Sequence, residues 1–167
     1  HIKNCQLGAQ PTGITCKAQG VAQLSFINNQ VYPDGRENLV LDGCNNGIIE
    51  GNNFKSYYNG ILVLNGNDNK VNKNIFWLTG AVQNQMLDHG SDFGIIHVNG
   101  NNNLFASNSL SCEWAYADAV TVNAVQGTGN VFKNCFVDNL ESHQVFLVNA
   151  QTEVSNCVSS DKVSIVE

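Results

Sequence analysis

The sequence predicts an all-β solenoid, a parallel β-helix of about six to seven coils, and three observations carry that expectation. An apolar strand-like run recurs at Gly13–Ala18, Asn38–Leu41, Gly60–Leu64, Phe93–Val98, Ala119–Val122 and Gln144–Val148. A second segment, ending in Asn-x-apolar, recurs in phase at Asn29/Val31, Asn52/Phe54, Asn74/Phe76, Asn108/Leu110, Asn134/Phe136 and Asn156/Val158. Its asparagines are spaced by 23, 22, 34, 26 and 22 residues. A strand repeat near this period, without helical pattern and without Leu-x-x-Leu-x-Leu, points to a β-helix rather than leucine-rich repeats. Third, roughly one residue in six is Asn, beside 15 Gly. Both residue types enter left-handed backbone at low cost, so the chain turns often.

Each element of the repeat has a physical reason. Asn59–Phe76 (NGILVLNGNDNKVNKNIF) shows the unit most plainly. Ile61–Leu64 suits a narrow, dry interior, Asn65–Asn69 a polar turn, and Asn74 an inward ladder position one residue from a core aromatic, Phe76. Coils stack at the strand spacing of about 4.8 Å, so equivalent residues form columns. An inward Asn passes amide hydrogen bonds from coil to coil. Lys3-Asn4-Cys5 echoes Lys133-Asn134-Cys135, which puts Cys5, Cys135 and Cys157 in one column. Small buried hydrophobes and a disulfide between the last two both fit that placement. The 34-residue interval holds about eleven extra residues, assigned to a loop within Trp77–Asp92. That loop carries Trp77, Met86, Asp88, His89 and Asp92. A smaller irregularity, Glu113–Ala117, carries Trp114. Extra loops add nothing to a coil core, so they are ligand sites or contact and capping surface.

Length and composition bound the rest. The 167 residues make one domain, 1–167, with 43% hydrophobic residues to fill a continuous core. Net charge is −6 and no basic run occurs, which disfavours nucleic acid and anionic membrane as partners. No apolar stretch approaches the roughly 20 residues of a membrane span. Six cysteines without a CxxC pair argue against zinc. Asn65–Asn69 offers calcium only one charged ligand, Asp68, and Gly127-Thr128-Gly129 lacks the following helix of a phosphate loop. No metal and no cofactor is expected. The chain opens at His1 on repeat sequence, and the expectation is the C-terminal part of a longer helix, cleaved or subdivided.

A resemblance adds to this reading. Gly8-Ala9-Gln10-Pro11-Thr12-Gly13, Tyr32-Pro33-Asp34-Gly35-Arg36, Gly43-Cys44-Asn45, Asp92–Val98 with Gly100–Leu104, and Ser142-His143-Gln144-Val145 occur in the order and near the spacing of the inulin fructotransferases. The chain resembles the C-terminal part of that family. The resemblance implies a right-handed β-helix, a homotrimer, an oligo- or polysaccharide partner of the fructan kind, and intramolecular fructosyl transfer or hydrolysis of a difructose dianhydride. It implies no cofactor and a site between subunits. The family's acidic pair falls on Thr12 and Ala22 here, neither of which can donate or accept a proton in glycosyl transfer.

Other acids are therefore candidates. The column before the first strand of each coil runs Thr12, Arg36/Glu37, Asn59, Asp92, Asp118 and Glu141. Glu37, Asp92 and Asp118 are the candidate catalytic residues. Arg36, Trp77, Asp88, His89 and Trp114 are candidate substrate contacts. A solvated polar rim produces the same column, and His97, inside an apolar run, reads as a core or interface histidine. Three functions compete: a fructan-active enzyme, a non-catalytic carbohydrate-binding or structural β-helix, and a phage-spike or adhesin module. A secreted setting is expected over a cytoplasmic one. Open edges on the first coil predict a second chain or fragment that supplies the preceding coils.

Overall fold

The computed structural model describes residues 1–8, 13–32, 36–79, 90–112, 120–139, 145–157 and 163–166. Short strands in three parallel sheets wind around one core. The first sheet stacks β1 (Ile2–Lys3), β4 (Ser25–Ile27), β7 (Ile48–Glu50), β10 (Lys70–Asn72), β13 (Leu104–Ala106), β16 (Val131–Lys133) and β19 (Glu153–Ser155). The second stacks β2 (Gln6–Leu7), β5 (Gln30–Val31), β8 (Asn53–Ser56), β11 (Ile75–Leu78), β14 (Ser109–Cys112) and β17 (Phe136–Asn139). The third stacks β3 (Cys16–Gln19), β6 (Leu39–Asp42), β9 (Leu62–Asn65), β12 (Ile96–Val98), β15 (Val122–Ala124), β18 (Phe146–Asn149) and β20 (Val163–Val166). Each coil visits the three sheets in turn. The predicted apolar runs are the third sheet. The remaining residues form two further series of strands, where the sequence suggested one.

Inward residues alternate with outward ones. Leu39, Leu62, Ile96, Val122 and Phe146 form one fully buried column of the third sheet. In the second sheet Phe54 stacks on Phe76 at 5.0 Å. In the first, Phe105 stacks on Phe132 at 4.4 Å. Parallel stacking places apolar residues over apolar ones, so rings pair where two successive coils both carry Phe, with Leu110 beyond Phe76 and Val71 and Val154 flanking Phe105 and Phe132.

The turn between the first and second sheets is built on a two-residue device. One residue takes left-handed backbone: Asn4, Asn28, Gly51, Lys73, Ser107, Asn134 and Asn156, with φ between 52° and 67°. The next points inward. Asn29, Asn52, Asn74 and Asn108 form the inward amide ladder, with Nδ2-to-Oδ1 bonds of 3.0, 2.9 and 3.1 Å. The Oδ1 of Asn52, Asn74 and Asn108 also accepts the backbone N–H of the Asn one coil earlier, and that of Asn29 accepts the Cys5 N–H.

Here the structure corrects the expected register. Asn134 and Asn156 are exposed turn residues, not ladder members. Ser109 pairs with Phe136, so Cys135 occupies the ladder position one coil beyond Asn108, and Cys157 the next. The expected cysteine column holds, and it is the asparagine column itself. Both thiols are free and buried. A search for Asn at every turn slipped by one residue wherever Cys replaced it.

A second ladder, absent from the sequence reading, turns the third sheet into the first. Asn69, Asn103 and Asn130 are buried and linked by Nδ2-to-Oδ1 bonds of 3.0 and 3.1 Å. Their amides also donate to the carbonyls of Cys44, Gly66 and Gly100. A Cβ on Gly100 would stand 1.7 Å from the Gly66 carbonyl oxygen, so this position admits only glycine.

Candidate functional site

The corner between the second and third sheets departs from this regularity. The long interval of the chain opens there, after Thr79 and before Gly90. Arg36 and Glu37 lie just before β6, Asn59 just before β9, and Asp92 just before β12. The Leu39–Leu62–Ile96 register puts Arg36, Asn59 and Phe93 in one column. Asp92 therefore sits one residue outside the column predicted for it. It belongs to a 3₁₀ turn, Ser91–Phe93, and its carbonyl accepts a bond from the Asn123 amide.

Backbone bonds fix this rim. Arg36 N–H donates to the Gly13 carbonyl at 2.9 Å, and Thr15 N–H to the Glu37 carbonyl at 2.9 Å. Buried Asn59 donates through Nδ2 to the Gly90 carbonyl at 2.8 Å, tying the far end of the long interval to β9. Buried Asn38 donates to the Lys55 carbonyl at 2.7 Å and ties β6 to the second sheet. Glu37 is half-buried and Asp92 exposed. They belong to strands with β9 between them, roughly 10 Å apart along the stack.

Trp77 is not in an insertion. It lies in β11, paired with Lys55 on one side and Ser111 on the other, and faces outward because Phe76 and Leu78 fill the core. The Lys55 ammonium sits over its ring, 4.1 Å from the centroid. With Gln30, Val31, Tyr32 and Asn53 these two residues line a shallow groove of about 80 Å³. Tyr32 is 41% exposed. Its hydroxyl donates to Gln30 Oε1 at 3.3 Å. An aromatic face beside amides and a hydroxyl suits a ligand with both C–H faces and hydroxyl groups.

His97 was expected in the core or at an interface, and the core placement does not hold. It is half-buried on the outer face of the third sheet, between Val63 and Asn123 in register, rather than in the core. Its ring stacks on Phe93 at 4.0 Å, and Nδ1 donates to the Phe93 carbonyl at 3.0 Å. The apolar run around it concealed this, because alternate residues of a β-helix strand face opposite ways.

The structure thus brings Arg36, Glu37 and Asp92 to one rim and Trp77 to the adjoining sheet. Asp118, Asp88, His89 and Trp114 lie outside the described residues, as does Thr12. Ala22 lies beyond β3, at the opposite end of the third sheet from the rim, bridged to Asn45. Tyr32, Lys55 and Phe93 were missed. They belong to ordinary-looking strands or turns, and only the stacking register gathers them. Among the described residues no group of three or more His, Cys, Asp or Glu side chains is placed to hold a metal ion.

No curated protein matches this sequence. Solved structures do resemble it. The DFA-IIIase of Arthrobacter chlorophenolicus without its lid, in complex with GF2, is 24% identical with a TM-score of 0.80, over 97% of this chain and 42% of that one. A point mutant of that DFA-IIIase in complex with DFA-III is 20% identical with a TM-score of 0.79, over 98% of this chain and 47% of that one. This chain spans less than half the length of those structures, and the likeness is one of fold. The family described as "right handed beta helix region" matches residues 12–165, and the chain belongs to that family.

Proposed function

We propose that this chain is part of a carbohydrate-active β-helix protein that recognises an oligo- or polysaccharide of the fructan kind. The supporting observation is the likeness, over 97% of the chain, to a structure solved in complex with GF2. The rim of Arg36, Glu37 and Asp92 beside Trp77 adds chemistry suited to such a ligand. In the enzymatic form of the proposal, Glu37, Asp92 and Asp118 supply the acid and base of intramolecular fructosyl transfer or dianhydride hydrolysis. Arg36, Asp88, His89 and Trp114 contact sugar. A homotrimer, and a chain or segment carrying further coils against the open edges of β1, β2 and β3, complete the site. A secreted setting fits a polymeric substrate.

The second reading is a non-catalytic carbohydrate-binding β-helix. It is favoured by the resemblance-implied acidic pair falling on Thr12 and Ala22. Incubation with inulin and with DFA-III, followed by chromatography of the products, separates the two. A product that Glu37→Gln or Asp92→Asn abolishes supports the enzyme. No product at high protein concentration, with GF2 still bound in calorimetry, leaves the binding protein.

A further inference from the structure

The outer face of the second sheet carries more than the groove beside Tyr32. Trp77 has Lys55 on one side in register and Ser111 on the other. The Lys55 ammonium covers one face of the indole, 4.1 Å from its centroid. The opposite face therefore looks along the stack toward β14. There the side chain is only a serine, and the next outward position along the sheet is Ser109. One strand further, β17 places Phe136 beyond Ser109 and Asp138 beyond Ser111. Ile75 and Phe136 are 47% and 50% exposed, so both present apolar surface on this face.

This register makes a notch. Ile75 and Trp77 form one wall, Phe136 and Asp138 the other, and two serines the floor. The walls stand two strand spacings apart, roughly 10 Å between backbones.

We infer that this notch on the second sheet is a sugar subsite, in which the free face of Trp77 stacks on the C–H face of a ring. The chemistry favours a neutral sugar over an apolar partner. A hydroxyl floor and a carboxylate wall are costly to bury under an apolar cover, whereas sugar hydroxyls satisfy them. Lys55 holds the indole in one orientation, so little side-chain freedom is lost on binding. With the groove beside Tyr32, Trp77 becomes a ridge between two depressions. An extended oligosaccharide would cross the strands there, along the helix axis. The inference rests on the carbohydrate reading above and adds a location to it.

Calorimetric titration with GF2 tests it, using wild type, Trp77→Ala, Ser111→Arg and Phe136→Ala. These positions are on the outer face, and thermal unfolding of each variant checks the fold. Trp77→Ala is expected to weaken binding roughly tenfold, the scale of one aromatic stacking contact. Ser111→Arg fills the notch without touching the groove beside Tyr32 and is expected to weaken it at least as much. Wild-type binding that Ser111→Arg and Phe136→Ala leave unchanged overturns the notch while the carbohydrate reading stands. Absence of GF2 binding by the wild type overturns both.

Discussion

The Asn74 side chain joins four hydrogen bonds. Its Oδ1 accepts from the Asn52 backbone and amide, and its Nδ2 donates to Ile49 and Asn108. Asn74→Ala strands buried partners on both neighbouring coils and should cost about 2–4 kcal/mol in urea unfolding. Asn134 has the same composition signal but only supplies left-handed backbone at an exposed turn. Asn134→Gly should therefore change stability by under about 0.5 kcal/mol. Residue identity made the ladder legible, and the one-residue distinction between turn and ladder positions was not, because Asn suits both. Where the ladder ends in cysteine, chemistry changes. The Cys135 thiol beside it holds Cys157 down at about 7, while the hydrogen bond to Cys157 pushes Cys135 above the ordinary thiol range. Between about pH 7 and pH 8.5 the folded pair has lost one proton and the unfolded pair keeps both, so stability rises with pH. Further up, the unfolded chain loses both while the folded pair keeps one, and stability falls. Melting temperatures across pH 7 to 8.5 should rise in the wild type relative to Cys157→Ser, whose profile lacks that rise, while burial still holds the Cys135 thiol up in the variant and the fall at higher pH is shared.

Strands of the third sheet were readable because they bury residues over several consecutive positions, as β6 and β9 do with Leu39–Leu41 and Leu62–Leu64. The first and second sheets were harder to separate. Their strands are as short as two residues, and one inward side chain each gives no periodicity to detect. The glycine column is the element-scale feature that sequence reading left unexplained. Gly66, Gly100 and Gly127 lie where each coil's carbonyl passes under the next coil's backbone. Gly100→Ala should destabilise the fold by more than about 3 kcal/mol, since the obstacle is backbone carbonyl that cannot swing aside. Chemical denaturation would show it, and a loss under 1 kcal/mol would contradict this packing. By contrast, the surface pairs Lys17–Asp42 at 3.9 Å and Lys73–Glu50 at 3.4 Å are exposed and contribute little.

Across the whole molecule, stacking gathers residues distant in sequence into one row on a sheet face. Tyr32, Lys55, Trp77, Ser111 and Asp138 are far apart in the chain, yet successive strands set them about 4.8 Å apart on one face. No local motif announces that row, which explains why only Trp77 was singled out from sequence. The placement of Arg36 and Glu37 just before β6 was legible, because polar residues preceding each apolar run repeat with the coil, whereas the 3₁₀ turn Ser91–Phe93 set Asp92 one residue outside the expected column. The carbohydrate reading itself is tested most directly by calorimetric titration of the wild-type chain with GF2. Saturable binding that Trp77→Ala weakens roughly tenfold is the predicted result. No binding at millimolar GF2 by a correctly folded chain would contradict it.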